Sequence, residues 1–160
     1  MSVLTRSGRA AIAQSIALQP IHLAWGTGDS AWGDTPPAED VAAEILLNEV
    51  GRRTAFDIAY AEPDEAGEIV TPTGRYRRSA EPTSNLYLAF RHDFGDGAEH
   101  VIRELAVFVG TVMVEGLPEG QRYFLPEQVS DPGTLLVVEN SAPIHRSMAT
   151  RETFEFVVTF

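Results

Sequence analysis

Ile21-His22-Leu23-Ala24-Trp25, followed by Gly26-Thr27-Gly28-Asp29-Ser30-Ala31-Trp32-Gly33-Asp34, decides how the rest of the chain is read. Five mostly apolar residues form a short strand. The glycine and aspartate residues that follow cannot continue it and read as an irregular loop, extended through Pro36-Pro37. Upstream, Leu4–Leu18 predicts a helix. Ala10, Ala11, Ile12, Ala13, Ile16, Ala17 and Leu18 favour that state, and Ile12 and Ile16 share a face at i,i+4. Thr5 or Ser7 supplies a cap and Pro20 a stop. Downstream, Val41–Val50 reads as about two helical turns ending at Gly51.

From Arg52 the period changes to two. Phe56, Ile58 and Tyr60 alternate with Ala55, Asp57 and Ala59, the pattern of a half-buried strand. In Asn85–Asp93, Leu86, Leu88 and Phe90 alternate with Tyr87, Ala89 and Arg91. Leu105, Val107 and Val109 alternate with Ala106, Phe108 and Gly110, which predicts a central strand buried on both faces. Thr134–Glu139 and Phe154–Phe160 close the series. The expected fold is α+β, an N-terminal helix packed on a mainly antiparallel sheet or sandwich, and one domain over residues 1–160.

Composition narrows the function. At 160 residues with 44% apolar content the chain is long enough for a hydrophobic core. No apolar run approaches the roughly 18 residues of a membrane span, and the N-terminus has no secretory pattern, so synthesis in the cytoplasm is expected. The absence of cysteine removes disulfides, thiolate nucleophiles and cysteine-ligated metals. The net charge of −11 disfavours nucleic-acid binding. All 12 basic residues are arginine, and the groups Arg52-Arg53 and Arg75-Tyr76-Arg77-Arg78 are small enough to be read as ion-pairing partners.

Each motif that hints at chemistry has a simpler reading. Gly26-Thr27-Gly28 lacks the third glycine and the following helix of a dinucleotide fingerprint. His22, His92, His100 and His145 show no metal-ligand spacing. Asp93-Phe94-Gly95-Asp96-Gly97 fits a turn, and its two aspartates supply too few oxygens for calcium. Asn140-Ser141-Ala142 near His145 lacks a nucleophile elbow, and Glu62, Asp64 and Glu65 sit in a solvated loop. No catalytic residue, cofactor or metal is therefore expected.

Two features of the sequence remain. Trp25 reads as core. Trp32 sits between Asp29 and Asp34, where it folds back as a lid over the core, anchors a partner protein, or offers a sugar platform. Arg103 and Glu104, adjacent in an apolar strand, are read as a structural ion pair, since a buried unpaired charge is costly.

The order of helix, glycine loop and Leu47-Asn48-Glu49-Val50-Gly51-Arg52 resembles the N-terminal attachment domain of bacteriophage tail-collar and tail-fibre proteins, with its "L-x-N-E-V-x-R" segment. Ile102-Arg103-Glu104-Leu105-Ala106-Val107-Phe108 is similar to the later "I-R-E-x-G-L-F" strand, with Ala106 in place of glycine. The likeness covers residues 4–55 and 100–115. The polar stretch Glu62–Pro82 and the end of the chain at Phe160 depart from it. The resemblance implies a stand-alone virion structural protein of the tail or baseplate. It would join neighbouring tail proteins or fibres, as a homo-oligomer in the particle, with Trp32, Asp29 and Asp34 at the interface. It implies no enzyme activity. A carbohydrate-binding β-sandwich using Trp32 and Tyr76 is the alternative.

Overall fold

The computed structural model describes all of residues 1–160. It contains one α-helix, α1 (Arg6–Ala17), and twelve strands. These are β1 (Ile21–Gly26), β2 (Glu49–Thr54), β3 (Asp57–Pro63), β4 (Ile69–Thr71), β5 (Gly74–Ser79), β6 (Asn85–His92), β7 (Val101–Val109), β8 (Val112–Met113), β9 (Tyr123–Phe124), β10 (Val129–Asp131), β11 (Thr134–His145) and β12 (Glu152–Thr159).

The expected α+β class is therefore corrected to mainly β. The helix exists where expected, with the Thr5 hydroxyl accepting from the Gly8 amide. However, it fully buries only Ala13 and lies against β3 without forming a layer of the fold. The second expected helical segment, Val41–Val50, is not helical. Residues 41–48 are turns and bends, and β2 starts at Glu49. Asp40 accepts from the Ala42 amide, and Glu104 takes the amides of Leu47 and Asn48. Those donors are thus lost to a helical ladder, and tertiary contacts override the propensity of Ala42, Ala43 and Leu46.

The chain separates into two compact units. The first comprises Met1–Gln19, Ala55–Phe90 and Thr153–Phe160. Its sheet has the order β12-β6-β3-β5-β4. Tyr87, Ala89, Ala61 and Ile69 form a core cluster, with Ala59, Tyr76 and Val157 packed on it. The strand expected around Ile58 is present, and its alanine side is the buried one. Ala59 and Ala61 point into this cluster, whereas Phe56 and Ile58 are exposed. Small side chains suit this side because Tyr87 and Tyr76 already fill it.

The second unit comprises Pro20–Thr54 and Arg91–Glu152. Its main sheet has the order β11-β7-β1-β2-β9, beside a two-stranded β10-β8 ribbon. All of β1 is buried, because it runs antiparallel between β2 and β7. On one side Ala24, Leu46, Ala106 and Phe108 cluster with Leu135 and Val138. On the other, Trp25 stacks on His92 at 3.7 Å between ring centroids and donates to the Tyr123 hydroxyl. Trp25 is core, as its sequence position suggests.

Candidate functional site

The site begins where β1 ends. Gly26 pairs in register with Glu104 of β7, and Glu104 is buried. Its carboxylate accepts from the backbone amides of Gly28 (3.1 Å), Leu47 (3.0 Å) and Asn48 (3.4 Å). Asn48 completes the join: its side-chain amide donates to the Gly28 carbonyl, and its own carbonyl accepts from Thr27. A carboxylate collecting several N–H groups is strongly held. Glu104 thus ties the glycine loop to the start of β2.

Arg103, adjacent in the chain, lies beside the join but takes no part in holding Glu104. Successive strand residues leave opposite faces, and no ion pair joins Arg103 to Glu104. The expected structural ion pair is corrected on this geometry: backbone amides, not the neighbouring guanidinium, satisfy the buried acid.

Arg52 makes the second join; its pairing with an acid is as expected, whereas its contacts to Thr111 and Pro132 have no signal in the sequence. Its side chain is only 2% exposed and forks onto Glu49 with two 2.8 Å hydrogen bonds. Its remaining nitrogen donates to Thr111 Oγ1 and to the Pro132 carbonyl, and the guanidinium lies 4.3 Å from the Phe108 ring centre. The signal in the sequence was the i,i+3 spacing of Glu49 and Arg52. Beside it, Gly51 passes so close to Tyr123 that a Cβ would meet the hydroxyl at 2.3 Å.

Within the loop, Asp29 accepts from the Ala31 amide and caps a single 3-10 turn, Ser30–Trp32. The Trp32 ring is half-buried over Gly28. That glycine has φ +56°, and a Cβ there would lie 2.6 Å from the ring. Farther on, Glu39 accepts from the Asn140 amide, and the Asn140 side chain donates to the Pro37 carbonyl, pinning the loop to β11. Asp34 is exposed, as are Val41, Ile45 and Leu47. From Gly26 to Gly51 there are six acids and no arginine, lysine or histidine.

A family profile described as "baseplate wedge 3 tail fiber network component" matches residues 1–160. The chain belongs to that phage baseplate family. No curated protein matches it. A baseplate component is a structural part of the virion tail, in line with the resemblance carried by the two motifs. In this baseplate component those motifs meet: Leu47 and Asn48 from the first are bound by Glu104 from the second.

The other residues singled out from the sequence do structural work. Asp93 and Asp96 both bind Arg53, and the turn closes with an Asp96 amide to Asp93 carbonyl bond. Arg146, fully buried, donates to the carbonyls of Asp93, Asp96 and Thr150. Glu62 and Asp64 pair with Arg77, and Asp57 with Arg78. Tyr76 packs on the core of its unit. Burial and the Arg52 charge push His22 down to about 4; burial, Arg53 and Arg146 push His92 down to about 3. His100 and His145 are exposed, and no cluster of His, Asp or Glu has the form of a metal site. No helix is long and apolar enough to cross a membrane.

Proposed function

We propose that this chain is an attachment subunit of the baseplate, joining neighbouring tail proteins or fibres through residues 26–47, in a structural and non-enzymatic role. The observation that carries this reading is the state of that segment. It exposes Val41, Ile45 and Leu47 and presents Trp32 half-covered among acids, yet Glu104, Asn48 and Asn140 hold its backbone in place. A loop ordered before binding loses little entropy on docking, and an aromatic or aliphatic side chain that a partner covers carries much of the binding energy. Asp29 and Asp34 add a charged rim, which sets register and on-rate. Repeated copies around the tail axis would present this loop to successive neighbours.

Trp32→Ala in the phage tests the reading. Its ring covers Gly28, so a fall of a few degrees in melting temperature is expected. Incorporation into particles, counted by mass spectrometry, should fall at least about tenfold, as for an interface anchor. Normal incorporation of the variant would reject the loop as the attachment surface.

A further inference from the structure

Beside the Glu104 join is an open, mainly polar cleft of about 420 Å³. Its walls are Thr27, Asp29 and Ser30 of the glycine loop, Leu47 and Asn48 before β2, and Arg103 of β7. The three segments that define the sequence therefore converge here. Arg103 is half-buried, and its Nε is shielded from solvent with no hydrogen-bond partner. Its situation differs from that of Arg52, Arg53, Arg146 and Arg151 in the same unit, each of which pairs with an acid.

No acid of this chain pairs with Arg103, and the outer N–H groups of a guanidinium match a carboxylate in geometry and charge. We propose that this cleft binds a carboxylate side chain, Asp or Glu, presented by a neighbouring baseplate protein. The inference rests on the attachment reading and names the group that is recognised. Thr27 and Ser30, which line the same cleft, carry hydroxyls that can donate. Asp29 on the same wall disfavours a doubly charged phosphate, so a single carboxylate is the better match. The volume takes a side chain together with part of its flanking backbone.

The chain contains no lysine, which gives a direct test. Arg103→Lys places the only side-chain amine of the chain in the cleft. Carbodiimide treatment of assembled particles activates carboxylates, and an amine in contact forms an amide with loss of water. The expected product is a cross-link from position 103 to an Asp or Glu of a different particle protein. In parallel, Arg103→Gln should lower incorporation at least about tenfold, as for truncation of one partner of a desolvated charge pair, with an unchanged melting temperature. Wild-type incorporation of Arg103→Gln, or a cross-link that ends only on Asp29 of the same chain, would overturn the proposal. If Trp32→Ala fails to incorporate while Arg103→Gln is normal, the carboxylate cleft falls and the attachment loop stands. Absence of the wild-type chain from particles would remove the attachment reading itself.

Discussion

Replacing Glu104 with alanine removes the acceptor for three backbone amides at once, those of Gly28, Leu47 and Asn48. A hydrogen bond to a charged group contributes about 1.5–3 kcal/mol, and a buried donor left without a partner costs about 1–3 kcal/mol. The Gly28 amide is buried and bears the full penalty, whereas those of Leu47 and Asn48 are part-exposed and regain water. The expected loss is then about 3–5 kcal/mol, well short of three full bonds. For a chain of this size, 1 kcal/mol shifts the melting temperature by roughly 2–4 °C, so a fall of about 10 °C is expected. Glu104→Gln keeps one acceptor oxygen but turns an N–H₂ group toward other donors, and should lose about half as much. Scanning calorimetry measures both, and tryptophan fluorescence should report Trp32 becoming wetter as the glycine loop is released. A shift of less than about 3 °C for Glu104→Ala, with unchanged fluorescence, would refute the claim that this carboxylate holds the loop.

Arg52→Ala should destabilise by about 3–5 kcal/mol, because it strands Glu49, removes a charged donor from the Pro132 carbonyl and opens a void beside Phe108; urea unfolding measures this, and a loss below about 1 kcal/mol would contradict it. Gly28→Ala combines positive φ with contact on the Trp32 ring, so the variant should lose stability and show altered tryptophan emission, and retention of both would be evidence against the packing described. Stability should also fall with acid. His22 and His92 are held neutral in the folded chain, at about 4 and about 3, against 6.5 when unfolded. Between pH 6.5 and about 4 the unfolded state therefore binds more protons, and each histidine removes on the order of 1 kcal/mol per pH unit. A urea midpoint that stays flat or rises from pH 7 to pH 5 would contradict this sign.

The readings that survived rest on local chemistry. The Thr5 cap and Pro20 bound the helix, and the doubly apolar pattern of Val101–Val109 marks the buried centre of a sheet. Where the outcome depended on partners distant in sequence, the sequence was silent. Period two placed a strand at Ile58 but did not say which side faces in, and Tyr87 and Tyr76 decided it for the alanines. Helix propensity at Val41–Val50 could not anticipate an acceptor at Glu104, more than fifty residues away. Strand neighbours diverge, which sets Arg103 and Glu104 on opposite faces and outweighs the attraction expected of adjacent opposite charges. Trp32 and Asp29 lie together in the loop, as their spacing suggests.

A cryo-EM map of the tail baseplate would show whether residues 26–47 dock on a neighbour. The expected map has this fold in the baseplate, with residues 26–47 buried against a neighbouring protein and an acidic side chain of that neighbour on Arg103. A map with this chain in the baseplate and residues 26–47 facing solvent would contradict it.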